Sequence, residues 1–132
     1  MKKIGLLHNE LSKTIAEMAH EDMLLIGDAG MPVPKGVNLI DLALVKGIPS
    51  FFEVLEAVLK ELHVQEAIID EEMQQVSPHM RTHLNELVKD SFKLTELPHE
   101  EVKKLSAHVK AVVRTGEFTP YSNIILKAGV LF

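Results

Sequence analysis

Apolar positions along this chain follow two alternating rhythms. Met23-Leu24-Leu25-Ile26, Ala111-Val112-Val113 and Ile124-Ile125-Leu126 are short unbroken runs rich in branched residues. Their length and composition predict strands covered on both faces. Between such runs, apolar residues return every three or four positions, the period of a helix with one buried side. Leu11, Ile15 and Met18 share such a face, and His20 follows near the end of that predicted helix. Met23 to Gly27 is then a buried strand, which places Asp28 just past its carboxyl end.

The same reading covers the rest of the chain. Val37 to Leu44 predicts a second strand, interrupted by Asp41. Ser50-Phe51-Phe52-Glu53 has the spacing of a capping box, and the helix it opens turns Phe52, Leu55, Leu59 and Leu62 inward. Ala67 to Ile69 is a short strand, and Ser77-Pro78 starts a helix with proline in its first position. Phe92 to Leu97 predicts a strand and Glu100 to His108 a helix with Val102 and Leu105 inward. Strands alternating with helices predict an α/β fold: a three-layer α/β/α sandwich on a mainly parallel mixed sheet of about six strands. With no repeat or linker in view, residues 1–132 read as a single domain.

Composition narrows the classes of function. A formal net charge of -5 is wrong for a nucleic-acid partner, whose phosphates favour a basic face. The absence of cysteine excludes disulfides, thiol catalysis and thiolate metal sites. The apolar run Ile4-Gly5-Leu6-Leu7 ends at His8-Asn9-Glu10, too early for a signal-peptide core, and no stretch approaches a membrane span. The expected protein is cytoplasmic, with no membrane or nucleic-acid partner.

Polar chemistry concentrates in two segments. Gly27-Asp28-Ala29-Gly30-Met31-Pro32-Val33-Pro34 follows the first strand, at the edge where open α/β sheets bind ligands. A carboxylate in such a turn can bond its own backbone, accept hydrogen bonds from a ligand, or hold an imidazole in one tautomer. Arg114-Thr115-Gly116-Glu117-Phe118-Thr119-Pro120-Tyr121-Ser122-Asn123 sets the only tyrosine two residues before a carboxamide. Alternation along a strand would point both side chains the same way, toward a ligand or toward water at a sheet edge. Arg114 and Glu117 are placed to pair across the turn at Gly116. His20 reads either as a helix-end histidine or as a general acid. His99, after Pro98, reads as an exposed capping side chain. His79 and His83 share a helix face at a spacing that can bind zinc, but no Glu follows His79, and a solvated face beside Arg81 and Glu86 is the plainer reading. No metal is expected.

Ala19-His20, Asp28 to Pro34, Ile40-Asp41-Leu42-Ala43-Leu44 and Arg114 to Asn123, in that order and spacing, resemble the ribose pyranase and fucose mutarotase family across the whole chain. Ala19 departs from the glycine expected before the histidine. The resemblance implies a sugar mutarotase that interconverts ring forms of free D-ribose without a cofactor. It implies His20 as proton donor, with Asp28, His99, Tyr121, Asn123 and the Ser122 backbone holding the sugar. It also implies a ring-shaped homo-oligomer, a decamer of two pentamers with sites between neighbouring subunits. L-fucose mutarotase is the nearest rival within the family; a sugar-binding or transport-associated module and a structural assembly protein are the readings outside it.

Overall fold

The computed structural model describes all residues from Met1 to Phe132. Six strands form one mixed sheet: β1 (Met23–Gly27), β2 (Asn38–Asp41), β3 (Val64–Asp70), β4 (Lys93–Leu97), β5 (Ala111–Arg114) and β6 (Ile124–Ala128). Their order across the sheet is β2-β5-β1-β6-β3-β4. β2, β5 and β1 run parallel, as do β3 and β4, whereas β6 runs antiparallel to both its neighbours, β1 and β3. This inversion matters for the site. It brings the amino end of β6 to the carboxyl ends of β1 and β3.

Five helices flank the sheet: α1 (Asn9–Glu17), α2 (Phe51–Leu59), α3 (Glu72–Val76), α4 (Pro78–Val88) and α5 (His99–Leu105), the last continuing into a 3-10 turn at Ser106–His108. Strand alternation divides the core between the two faces. Leu24, Ile26, Val113, Ile124 and Leu126 join Leu11, Val54, Leu55, Val58 and Leu84 in the larger cluster, under α1, α2 and α4. Leu25, Val112 and Ile125 point the other way, to Val102 of α5, Val109 and Met31. The sandwich therefore has three layers, one thick and one thin. Each fully buried Leu, Ile or Val contributes about 1.5–3 kcal/mol relative to exposure, which is why the unbroken runs become the central strands.

The capping box forms as its sequence requires. Ser50 Oγ accepts from the Glu53 amide at 3.2 Å, and Glu53 Oε2 accepts from the Ser50 amide at 2.7 Å. Several boundaries differ from expectation. β3 extends over Val64–Asp70, three residues before and one after its apolar centre Ala67 to Ile69, because β4 and β6 pair with it on both sides. β2 is confined to Asn38–Asp41 at the sheet edge, and Asp41 ends it opposite Arg114 instead of interrupting it. α1 stops at Glu17, where Met18 turns to extended backbone. His20 consequently lies in the turn before β1 and not in the last helical turn. No helix is long and apolar enough to cross a membrane.

Candidate functional site

The site is built where the carboxyl ends of β1, β3 and β4 meet the amino end of β6. Asp70 closes β3 and is fully buried. A carboxylate in that position requires partners, and it has two. His99 Nδ1, at the start of α5 just after β4, lies 3.1 Å from Asp70 Oδ1. Asn123, also fully buried, donates from Nδ2 to Asp70 Oδ2 at 2.7 Å. The other end of the same carboxamide accepts the Asp28 amide at 3.0 Å, tying the β1 turn to the ends of β3 and β6. Gly27 makes this approach possible: a Cβ there would lie 3.1 Å from Asn123 Oδ1 and 2.9 Å from Met31 Cβ.

Around this buried core stand the accessible groups. Asp28 is half-buried and accepts the Gly30 amide at 2.9 Å through Oδ1. Tyr121 packs edge-on against the His99 ring, with centroids 5.2 Å apart. The His99 amide is directed at both carboxylate oxygens of Glu72, at 3.0 and 3.1 Å, which fixes the start of α5 against α3. Asp28, Met31, Pro32, His99, Pro120 and Tyr121 line a depression of about 240 Å³. A larger cavity of about 400 Å³, lined by Leu59, Leu62, Val64, Leu87 and Phe92, lies near the amino end of β3. It gathers no buried polar set comparable to Asp70, His99 and Asn123, so size does not locate the site. Burial raises the pKa of Asp70 above the ordinary carboxylate value, with the bonds from Asn123 and His99 working in the opposite direction. Burial also raises Asp28, opposed chiefly by the Gly30 amide.

Of the residues singled out in the sequence, Asp28, His99, Tyr121, Ser122 and Asn123 gather at this edge. His20 does not. It precedes β1, whereas Asp28 follows it, and a strand of five residues separates the two by roughly 17 Å. His20 is exposed and bonds Gln65, its Nε2 lying 3.1 Å from Oε1, so Asp28 does not orient this imidazole within the chain. Alternation does not govern Tyr121 and Asn123 either, because Tyr121 is in a turn with φ 60° and β6 begins only at Ile124. Asn123 is therefore an internal bridge, with no edge-strand exposure. Ser122 is buried, and its Oγ has no partner.

The expected pair between Arg114 and Glu117 is absent. Arg114 Nη1 instead donates to Asp41 Oδ2 at 3.0 Å, across the β2–β5 pairing. Glu117 accepts the Phe51 amide at 3.2 Å and the Thr119 hydroxyl at 2.8 Å, holding the loop to the start of α2. His79 and His83 are both exposed, as on a solvated face, and the His83 ring stacks on Phe52 with centroids 3.7 Å apart. No group of three or more His, Asp or Glu side chains is arranged to hold a metal ion. Asp70 and Glu72 were missed in the sequence. Asp70 had a signal, since it ends the apolar run Ala67-Ile68-Ile69 as Asp28 follows its own strand; Glu72 had none.

Comparison with known proteins finds relatives along the whole chain. The chain is 53% identical over 132 residues to the D-ribose pyranase of Clostridium perfringens, covering all of both chains. It matches the structure of Bacillus subtilis RbsD complexed with D-ribose at a TM-score of 0.96 and 43% identity, again over all of both chains. The fucose mutarotase of Streptococcus pneumoniae, solved with L-fucose, has a TM-score of 0.80 at 26% identity, covering 96% of this chain and 95% of that one. The profile of the RbsD / FucU transport protein family matches residues 1–131. With the family shown across the length of the sequence, the chain belongs to the RbsD / FucU family.

Proposed function

We propose that the protein is a sugar mutarotase that interconverts the pyranose and furanose forms of free D-ribose by acid/base-assisted ring opening and closure. The observation that carries this reading is the likeness, over the whole chain, to a relative solved with D-ribose. The polar edge suits such a substrate. Asp28, His99 and Tyr121 line an open depression in which hydroxyls can be held, and Asn123 fixes the Asp28 turn from behind. The chemistry needs no cofactor: a proton leaves the anomeric hydroxyl, another reaches the ring oxygen, and the open aldehyde recloses through a different hydroxyl. Furanose formation frees the hydroxyl on C5, which a kinase acting at that position requires.

His20 is the proton donor in this reading, reaching the sugar from a neighbouring copy. Its exposure and its place on the opposite sheet edge from Asp28 favour a site completed between subunits. Exposed apolar side chains, among them Leu44, Ile48, Phe118, Leu131 and Phe132, supply surface for subunit contacts. The assembly is a ring-shaped homo-oligomer, a decamer of two pentamers, of single-domain subunits working in the cytoplasm. Saturation-transfer NMR on free D-ribose reads the exchange directly. His20→Ala should lower the exchange rate at least about a hundredfold while ribose binding persists, because binding rests on several contacts and proton transfer on one. A variant within about twofold of wild type removes His20 from the chemistry. L-Fucose, run in parallel, decides the rival substrate: faster exchange with fucose than with ribose would move the assignment to a fucose mutarotase.

A further inference from the structure

We propose that Asp70 is a positioning residue that holds His99 as the Nδ1–H tautomer, leaving the His99 Nε2 lone pair to act as the base for the anomeric hydroxyl. The inference rests on the mutarotase reading and adds to it a second proton-transferring group. Its basis is a directed chain of hydrogen bonds. The Asp28 amide can only donate, so the atom of Asn123 facing it at 3.0 Å is the carbonyl oxygen. The NH2 end of Asn123 must then face Asp70, which it does at 2.7 Å. A carboxylate so engaged has its other oxygen free to accept, and His99 Nδ1 is 3.1 Å away. An ionised carboxylate accepts only, so Nδ1 carries the hydrogen.

Nε2 makes no hydrogen bond within the chain, and His99 lines the depression beside Asp28 and Tyr121. Asp70 itself is fully buried and cannot meet a sugar. It acts through His99. The Tyr121 ring against the imidazole and the Glu72 bonds to the His99 amide limit movement of the base.

The proton balance closes with two groups. In ring opening the O1–H bond breaks, its proton passes to His99 Nε2, and its electron pair forms the C1–O1 double bond. The bond between C1 and the ring oxygen breaks in the same step. Its electron pair stays on that oxygen, which takes a proton from His20 of the neighbouring copy. Opening thus leaves His99 protonated and His20 neutral. Closure through another hydroxyl passes that hydroxyl's proton to His20, while His99 returns its own to O1. Both groups finish as they began, and the Nδ1 hydrogen bond to Asp70 stabilises the imidazolium that forms between the two steps.

Asp70→Asn tests the assignment. With Asn123 fixed by the Asp28 amide, the new amide must turn its carbonyl to Asn123 and its NH2 to His99 Nδ1. That forces Nδ1 to accept and moves the ring hydrogen to Nε2, removing the base. The exchange kcat should fall about a hundred- to ten-thousandfold while the KM for D-ribose stays within about threefold. Long-range 1H–15N spectra of the imidazoles should show the Nδ1–H tautomer for His99 in the wild-type protein and the Nε2–H tautomer in the variant. An Nε2–H signal for His99 in the wild type overturns the proposal even if the variant does not fold. Unchanged kcat in a folded variant overturns it equally. Failure of the wild type to accelerate ribose exchange would remove both the mutarotase reading and the role of Nε2, whereas the spectra would still decide whether Asp70 sets the tautomer.

Discussion

Replacing Asn123 with alanine should destabilise the fold through two separate losses. The side chain is fully buried and bonded at both ends, to the Asp28 amide at 3.0 Å and to the Asp70 carboxylate at 2.7 Å. Loss of a hydrogen bond to a charged group costs about 1.5–3 kcal/mol, and a buried amide left without an acceptor about 1–3 kcal/mol. The sum is about 2.5–6 kcal/mol, with the low end applying if water enters the space and bonds both groups. Urea unfolding at a fixed protein concentration measures the change, since association would otherwise shift the midpoint. Asn123→Asp separates the two contributions. It keeps an acceptor for the Asp28 amide but sets a second carboxylate against Asp70, so its destabilisation should shrink as pH falls from about 7 to about 4 and one of the pair takes a proton. A loss below about 1 kcal/mol for Asn123→Ala, or no pH dependence for Asn123→Asp, would refute the bridging role.

Two further outcomes follow from the charges and the surface. Burial raises Asp28 above the ordinary carboxylate value, so the folded chain takes up this proton more readily than the unfolded chain. The wild type should therefore gain stability relative to Asp28→Asn as pH falls from about 7 toward the raised pKa; denaturation midpoints that keep a constant difference would contradict this. Asp22, lowered first by its bond from the Ala19 amide and then by Lys110, works with the opposite sign, and its contribution is lost on acidification through its depressed pKa. Light scattering at micromolar concentration should report an assembly, because Leu131 and Phe132 end the chain exposed. A species of 14.7 kDa would rule out a site shared between subunits.

The sequence by itself determined the local elements. Unbroken apolar runs require cover on both faces and so become the inner strands β1, β5 and β6. The Ser50 to Glu53 spacing starts α2 wherever that helix packs, because both partners of the capping box lie within one turn. Motif order was enough to point to the family, and the resemblance in turn implied Asp28, His99 and Tyr121 as sugar-binding residues. Tertiary structure decided how these elements meet. Nothing in the run Ile124-Ile125-Leu126 states that β6 lies antiparallel between β1 and β3, yet that inversion carries Asn123 to their carboxyl ends. The partners of Asp70 are 29 and 53 residues away in the chain, a separation no local pattern spans. Glu117 chose the amide of Phe51, 66 residues distant, over the neighbouring Arg114, because the start of α2 presents an N–H in need of an acceptor. His20 is the sharpest case. Eight residues from Asp28 in sequence, it stands at the other edge of the sheet because an extended strand lies between them and carries the two apart.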